Sequence, residues 1–399
     1  MEIDPCDVAI AGAGPAGASL ALELSSRGFS VSIFEEHASV GSPSHCAGLV
    51  GPSLGDPSNL APLVDRSTIN RIKGAVFVSP SGNRFTVEGD VGSAIVLDRK
   101  IFDRGLVRAA LDRGAKLHLR SKITGMEGKK VKVVGEGESS WFEPKVLVGA
   151  TGSRFAVARL IGERNGRVIP GIQVEITDLD LDREMVQVYF GNHISQDLFA
   201  WVIPLDSRTA RVGLCSRTGA KRRLDEFLLN EFRRDFGTGT VVEVNSGAIA
   251  YGWRERTVSG RVLLVGDEAL QTKPATGGGI QYSVLCSKIA CEAISGYLTR
   301  GAYLAEYDDR WRAELGREIR FGLAVRRLYR SLSNRELDEL FGGVSEELTG
   351  LLARSDFDRH STVAELAVGC LPLLIRDLGI GRFITLAGRL LGAYAGGRR

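Results

Sequence analysis

Three glycines near the start of the chain, together with one acidic residue, have the types and spacing of a dinucleotide site. The glycines are Gly12, Gly14 and Gly17. They follow an apolar run at 8–11 and open a helical pattern at 18–26, so backbone N–H groups and a helix N-terminus can approach a pyrophosphate. A second apolar run at 31–34 ends in Glu35, whose carboxylate can accept hydrogen bonds from a ribose. This order of features predicts an adenine dinucleotide at the N-terminus.

A second glycine-rich element lies late in the chain. An apolar run at 262–265 leads into Gly266 and Asp267, and the glycines at 277–279 precede Ile280. Asp267 at a strand end can accept hydrogen bonds from ribityl hydroxyls, and N–H dipoles of the turn can stabilise an anionic reduced flavin ring. The alternative is an ordinary tight turn with a capping aspartate. Combined with the first element, the second favours FAD, with Gly277, Gly278 and Gly279 beside the ring.

Composition and charge exclude several other classes of protein. The 399 residues are 44% hydrophobic and 25% charged, with a formal charge of +3, which is ordinary for a soluble globular protein and too weakly basic to indicate nucleic acid. No apolar run reaches the ~18–20 residues of a membrane-spanning helix. The six cysteines are scattered and form no CxxC pair, so we expect no metal site and reduced thiols in a cytoplasmic protein.

The elements that must position these residues alternate in type along the chain. Buried-strand patterns at 8–11, 31–34, 115–119 and 146–150 predict a parallel sheet, and the period-two alternation at 168–215 predicts an antiparallel one. We predict an α/β fold, α+β overall, with a Rossmann domain interrupted by an antiparallel-sheet domain and followed by helices. The predicted bounds are 1–70, 91–165 and 250–300 for the FAD-binding domain, 71–90 and 166–249 for the antiparallel β substrate domain, and 301–399 for the helical C-terminal domain.

Several motifs together resemble a known superfamily. The segments are Gly12–Gly17, Glu35, Asp98–Asp103, Gly149–Gly152 and Gly266–Asp267. They are similar to the glutathione-reductase-type FAD fold of the aromatic-hydroxylase superfamily. Two more segments, Gly41–Leu49 and Pro274–Ile280, resemble the geranylgeranyl reductase branch, which includes the archaeal digeranylgeranylglycerophospholipid reductases. Two departures stand out: Cys46-Ala47-Gly48 is shorter than the Cys-Gly-Glu-Gly of many members, and Glu268 replaces an alanine.

The resemblance implies a function and a set of site residues. It implies a flavin-dependent reductase that hydrogenates C=C bonds of geranylgeranyl chains in archaeal-type membrane lipids, by hydride from reduced FAD plus a proton. The residues it places along FAD are Ala16, Gly17, Glu35, Cys46, Ala47, Gly48, Arg99, Ile123, Asp267, Gly279 and Ile280. Cys46 is the candidate catalytic proton donor, although a thiol there could also simply pack against the ring. The candidate substrate wall is Phe199, Trp201, Ile203 and Pro204, with an ordinary sheet core as the alternative.

Partners and a competing function follow from the same comparison. The implied partners are a prenylated lipid and an external electron donor, NADPH or a ferredoxin, because the chain has no second dinucleotide fingerprint. The apolar C-terminal segments at 363–375 and 379–394 suit a peripheral contact with the inner face of the membrane or a cover over the substrate tunnel. Ordinary burial against the FAD domain is the alternative. An FAD-dependent monooxygenase or halogenase is the alternative function, since the segment at 199–204 is also similar to a halogenase motif. A non-catalytic or electron-transfer flavoprotein is a third hypothesis.

Overall fold

A computed structural model describes residues 5–44, 46–55, 60–90, 92–354, 356–359, 376 and 379–396. The strands are β1 (Val8–Ala11), β2 (Val31–Phe34), β3 (Leu49–Val50), β4 (Thr68–Ile72), β5 (Gly74–Val78), β6 (Arg84–Glu88), β7 (Ala94–Leu97), β8 (Lys116–His118), β9 (Ser121–Glu127), β10 (Lys130–Gly135), β11 (Glu138–Phe142), β12 (Val146–Gly149), β13 (Arg167–Thr177), β14 (Met185–Tyr189), β15 (Ala200–Pro204), β16 (Ala210–Cys215), β17 (Thr240–Tyr251), β18 (Val258–Ser259) and β19 (Val262–Leu264). The helices are α1 (Pro15–Ser26), α2 (Ala61–Ser67), α3 (Arg99–Leu111), α4 (Ala156–Leu160), α5 (Ala220–Phe227), α6 (Arg233–Phe236), α7 (Ile280–Arg300), α8 (Glu306–Ser331), α9 (Asn334–Gly342), α10 (Glu346–Leu352) and α11 (Ile380–Ala395).

The glycine turn that follows β1 lies at the centre of a six-stranded sheet with the order β18-β19-β12-β1-β2-β8. The neighbouring pairs from β19 to β8 are parallel, and only the edge strand β18 pairs antiparallel. Every residue of β1, β2, β12 and β19 is buried. Strands covered on both faces are continuous apolar runs, which is the pattern the sequence shows. The predicted parallel sheet and α/β class are confirmed.

Different layers cover the two faces of this sheet. Apolar side chains of α1, α3 and α7 pack against Val8 and Ile10 on one face. On the other face, the three-stranded antiparallel sheet β9-β10-β11 and the short helix α4 pack against Ala9 and Leu147. The sheet is therefore the middle of three layers, and the carboxyl ends of β1 and β12 come together at one edge.

The second large sheet has seven strands in the order β17-β13-β16-β15-β14-β5-β6. It is not purely antiparallel as predicted, because β14 pairs with β5 in parallel. The hairpin β5–β6 comes from far earlier in the chain and enters the sheet beside β14 in the same direction. Helices α5 and α6, joined by a π-helical turn at Leu228–Phe232, cover one face. The other face carries Phe199 and Trp201.

The C-terminal part consists mainly of helices where it is described, with a non-helical segment at 356–359. Helix α11 matches the prediction for 379–394 and packs against α8, while the other predicted segment, 363–375, lies outside the described residues. Ile384 and Leu391 of α11 are exposed, whereas Arg382 and Arg389 pair with Glu339 and Glu336 of α9. Within the described ranges, no helix has the length and apolarity needed to cross a bilayer.

Candidate active site

One cavity of about 950 Å³ brings the predicted site residues together. The first glycine turn, the Cys46 loop, the second glycine turn and strand β15 all contribute to its wall. The predicted residues on the wall are Gly12, Gly14, Ala16, Glu35, Cys46, Ala47, Gly48, Arg99, Ile123, Phe199, Trp201, Ile203, Asp267, Gly277, Gly278, Gly279 and Ile280. Two predicted residues lie off it. A Cβ at Gly17 would collide with the Gly12 carbonyl, and Pro204 is buried with its carbonyl accepting a hydrogen bond from Asn70 Nδ2 at 2.9 Å.

The turn after β1 is shaped for an anion. Gly12 has a φ of +106°, and a Cβ there would strike the carbonyl of Ala150 at the end of β12. A Cβ at Gly14 would meet nothing within 4 Å, so the backbone is open to the cavity at this residue. Helix α1 begins with Pro15 at its first position and no side chain caps its N-terminus. Its free N–H groups and helix dipole therefore fit a diphosphate at this end of the cavity.

Glu35 stabilises the same turn. Its Oε2 accepts a hydrogen bond from the Ala13 N–H at 2.9 Å, and its Oε1 accepts one from the His37 N–H at 3.0 Å. The same Oε1 lies 2.6 Å from His37 Nδ1. A carboxylate has about four acceptor positions, so one remains for a ribose hydroxyl. The predicted ribose acceptor thus also fixes the turn that would hold the diphosphate.

The loop with Cys46 is anchored by an arginine that the sequence reasoning missed. Arg211 of β16 donates from Nη1 to the carbonyls of Ala47 at 3.0 Å and Leu97 at 3.1 Å. Its Nε donates to Glu175 at 2.9 Å. The Cys46 Sγ in turn accepts a hydrogen bond from the Gly48 N–H at 3.3 Å. A buried arginine in the otherwise apolar run of β16 is the one signal that could have identified Arg211 from sequence.

Arg99 places a fixed positive charge beside this thiol. It forms a two-pronged pair with Asp103, Nε to Oδ1 at 3.0 Å and Nη2 to Oδ2 at 2.8 Å. Burial alone would lower the pKa of Arg99, but Asp103 and the neighbouring Cys46 raise it above its ordinary value. Arg99 therefore stays charged and holds a positive charge close to the Cys46 thiol.

The second glycine turn and Asp267 meet at the same cavity. A Cβ at Gly279 would lie 2.7 Å from Asp267 Oδ1, and Gly277 has a φ of +82°. Helix α7 begins at Ile280 with no side-chain cap, so its first N–H groups are available to a ligand. Burial raises the pKa of Asp267 to about 6, and the charge of Arg99 partly opposes that shift. The Asp267 carboxylate is an acceptor suited to the ribityl chain of FAD. The N–H groups at the start of α7 and the bare glycine backbone at 277–279 suit its ring.

Glu268, the residue that replaces an alanine in the family pattern, ties two edges of the site together. Its buried carboxylate accepts hydrogen bonds from Thr151 N at 2.6 Å, Thr151 Oγ1 at 2.8 Å, Val157 N at 2.7 Å and Ala158 N at 2.9 Å. Burial raises its pKa, and these hydrogen bonds oppose the shift. Glu268 thus links the turn after β19 to the end of β12 and the start of α4.

An aromatic wall lines the same cavity as the Cys46 loop. Trp201 donates from Nε1 to Gln173 Oε1 at 3.0 Å, so its polar atom is satisfied while the ring contributes to the wall. Phe199 packs beside it and against Phe190, with ring centroids 5.7 Å apart. Phe77 and Tyr329 extend the cluster around Phe190. Sequence reasoning missed Phe190, Phe77 and Tyr329, because the periodicity of a strand or a helix alone does not show which face borders a cavity.

Comparison with known proteins agrees with an FAD-binding fold. The family model described as FAD dependent oxidoreductase matches residues 7–77. An uncharacterized protein of Methanocaldococcus jannaschii is 32% identical over 96% of this chain and 98% of its own length. Digeranylgeranylglycerophospholipid reductase 1 of Methanococcoides burtonii is 31% identical over 84% of this chain and 87% of its own, and digeranylgeranylglycerophospholipid reductase 2 of Methanothermobacter thermautotrophicus is 33% identical over 84% and 90%.

Solved structures share the fold. A geranylgeranyl bacteriochlorophyll reductase-like protein from Thermoplasma acidophilum superposes with a TM-score of 0.82 at 21% identity, covering 94% of this chain and 99% of the other. A flavin-dependent brominase superposes with a TM-score of 0.70 at 19% identity, covering 92% and 99%.

Fold, cavity and family model define an FAD-dependent oxidoreductase. Within that class, the identity to curated reductases over most of the chain places this protein in the geranylgeranyl reductase family. FAD is its cofactor, and the glycine turns, Glu35 and Asp267 supply donors and acceptors suited to it.

Proposed function

We propose that this enzyme hydrogenates C=C bonds of geranylgeranyl chains in archaeal-type membrane lipids. The observation that carries the proposal is the shared wall of one cavity, where the Cys46 thiol, the turn at 277–279 and the aromatic wall of β15 meet. The names of the relatives from Methanococcoides burtonii and Methanothermobacter thermautotrophicus support it. We assign the glycines at 12 and 14, Glu35, Arg99 and Asp267 to FAD, together with the turn at 277–279.

An isolated alkene has no carbonyl group to polarise, so the cavity must supply geometry, a dry environment and a proton. Reduced FAD, when bound, supplies the hydride for one alkene carbon. The Cys46 thiol gives its proton to the other carbon, which completes the addition of two hydrogens. The thiolate that remains lies beside the positive charge of Arg99 until solvent returns a proton. Phe199 and Trp201 position the apolar chain and exclude water.

The decisive experiment compares two oxidants of the reduced enzyme. The FAD-loaded protein is reduced without oxygen and mixed with a geranylgeranyl lipid or with air. We expect the lipid to reoxidise the flavin and to gain hydrogen by mass spectrometry. A lipid that leaves the flavin reduced, while air yields a hydroxylated or halogenated product, would contradict the reductase function and support the monooxygenase or halogenase alternative. Reduction of the enzyme by NADPH or by a reduced ferredoxin, tested separately, identifies the electron donor.

Cys46 is tested in the same assay. Cys46→Ala should slow alkene reduction about 100-fold, the scale of one general acid, while FAD content stays at the parental level. Cys291→Ala, on helix α7 and away from the cavity, is the matched thiol control. A parental rate in Cys46→Ala would remove Cys46 from the proton transfer.

We also propose that α11 rests on the membrane surface that holds the lipid. Ile384 and Leu391 are exposed on it by 62% and 68%. The variant Ile384→Ser/Leu391→Ser should sediment less with archaeal-lipid vesicles, whereas Leu229→Ser, an equally exposed residue of another element, should not differ from the parent. Equal sedimentation of all three proteins would remove α11 as the contact.

A further inference from the structure

A cluster of arginines surrounds one buried carboxylate beside the aromatic wall. Arg326 and Arg330 lie one turn apart on helix α8, and Arg217 follows strand β16. All three face Asp197, which is 3% exposed. Asp197 immediately precedes Leu198 and Phe199, and all three residues line the cavity. The cluster is therefore continuous with the apolar wall.

Of its three arginine neighbours, Asp197 accepts hydrogen bonds from Arg217 alone. Its Oδ1 accepts from Arg217 Nε at 2.9 Å and its Oδ2 from the Arg217 N–H at 3.1 Å. Arg326 Nη2 and Arg330 Nε lie 3.7 Å and 3.6 Å from Oδ1, beyond hydrogen-bonding distance. Three guanidinium groups thus share one carboxylate, which leaves the cluster with an excess of positive charge.

Arg326 is the buried member, only 4% exposed, and it lies on the cavity wall. Its Nη1 donates to the Pro274 carbonyl at 3.2 Å, and the guanidinium lies 4.2 Å from the centre of the Tyr251 ring. Its Nε and Nη2 have no hydrogen-bond partner among the described residues. Buried N–H groups without acceptors cost free energy, so this side chain is suited to an incoming anion.

The other buried or half-buried cations of the central cavity each have a carboxylate partner of their own. Arg99 is paired with Asp103 at 2.8 Å, Lys73 with Glu88 at 3.2 Å, and Lys273 with Asp358. The carboxylate of Asp103 raises the pKa of Arg99 in spite of burial. By contrast, burial lowers the pKa of Arg326, because the shared Asp197 does not compensate for lost water.

We propose that Arg326, supported by Arg330 and Arg217, binds the phosphate group of the prenyl substrate, an inference that rests on the proposed function. Arg330 and Arg217 are 34% and 45% exposed, so the cluster reaches from the cavity to the surface. A phosphate held there stays near water while the prenyl chain runs along Phe199 and Trp201 toward Cys46. The two N–H groups of Arg326 would donate to phosphate oxygens.

The test separates the head group from the chain. Oxidised, FAD-loaded protein is titrated with geranylgeranyl diphosphate, with a detergent-dispersed digeranylgeranyl glycerophospholipid and with geranylgeraniol, which has no phosphate, and tryptophan fluorescence reports binding. We expect Arg326→Gln to weaken binding of one or both phosphate-bearing ligands roughly 10- to 100-fold and to leave geranylgeraniol unchanged. The ligand that loses affinity identifies whether the site takes a soluble diphosphate or a lipid phosphate. Arg222→Gln on α5, with an exposed side chain, is the matched charge control.

Equal losses for the alcohol and the phosphates, or no loss for any ligand, would overturn the proposal. If Arg326→Gln fails to fold, Arg330→Gln decides the matter, since it should weaken only the phosphate ligands, by several-fold. A parent protein that binds geranylgeraniol and its diphosphate with equal affinity would refute the phosphate site but not the reductase function. A parent protein that binds no geranylgeranyl ligand at all would instead refute the proposed function.

Discussion

Arg211 shows how a residue without substrate contact can govern a reactive group. Its guanidinium ties β16 to the Cys46 loop at the Ala47 carbonyl and to the end of β7 at the Leu97 carbonyl. Glu175 neutralises it, and both side chains are largely buried. Because small displacements of a reacting group cost large factors in rate, the position of the thiol depends on this pair.

Arg211→Gln should therefore lower kcat for alkene reduction about 10- to 100-fold with little change in KM or FAD content. It should also destabilise the protein, because Glu175 loses its partner. The double variant Arg211→Gln/Glu175→Gln should recover stability in urea unfolding but not kcat. Recovery of both quantities together would mean that Arg211 acts only through stability and does not position Cys46.

Asp267 predicts a pH dependence with a definite sign. Its pKa of about 6 in the fold lies above its ordinary value of 3.8, so the folded protein binds more protons than the unfolded chain between these values. The contribution of Asp267 to the free energy of unfolding is therefore most favourable below about pH 4 and is lost as pH rises through about 6. The loss is at most about 3 kcal/mol, and less where water reaches Asp267 from the cavity.

The measurement is urea unfolding of FAD-free parent and Asp267→Asn across this range. The free energy of unfolding of the parent, relative to the variant, should fall from pH 4 to pH 6 and then level off. A relative stability that rises over the same range would contradict the raised pKa.

At the scale of elements, the turn after β19 is joined to β12 and α4 by one side chain. The four hydrogen bonds to Glu268 all require an acceptor. A glutamine would present an NH₂ group to donors and lose part of this set.

Glu268→Gln should consequently lower the free energy of unfolding by about 2 kcal/mol or more, since it leaves buried N–H groups unpaired. Glu255→Gln, at an exposed position, should change it by less than about 0.5 kcal/mol. Thermal and urea unfolding of the FAD-loaded proteins measure both. An unfolding free energy of Glu268→Gln equal to that of the control would show that these hydrogen bonds contribute little.

At the scale of the whole molecule, the segment 356–359 contributes to the cavity wall beside the second glycine turn. Asp358 accepts hydrogen bonds from Lys273 Nζ and from Ser53 Oγ, the latter at 3.0 Å. Both partners of the Lys273–Asp358 pair are about 5% exposed. Together with the Ser53 hydrogen bond, the pair joins three distant parts of the chain at the edge of the cavity.

Breaking this pair on one side should cost more than removing both charges. Asp358→Asn leaves a buried ammonium unpaired and should lower the free energy of unfolding by about 3 kcal/mol, whereas Lys273→Met/Asp358→Leu should lose less. Calorimetric unfolding of the two variants checks the order. The opposite order would mean that the segment is held by contacts other than this pair.

The sequence by itself determined the dinucleotide features and the class of fold. The turn after β1, Glu35 and the turn at 277–279 depend on local spacing, because a strand, a glycine and a helix start act over a few neighbouring residues. Buried strands are continuous apolar runs for a similarly local reason, and together these local features point to FAD.

Tertiary structure alone decided which residues share the cavity with Cys46. Phe190 and Arg326 line the cavity from parts of the chain far from Cys46, and nothing local distinguishes them from core or surface residues. Arg211 stands out locally as an arginine in an apolar strand, but its partners Ala47 and Leu97 are set by packing alone. The parallel pairing of β5 with β14, and the positions of Gly17 and Pro204 off the cavity wall, were decided in the same way. Which strands pair and which side chains face one cavity depend on how the elements pack. Residues that meet across the cavity are far apart in the sequence, so local spacing does not reveal that they are close in space.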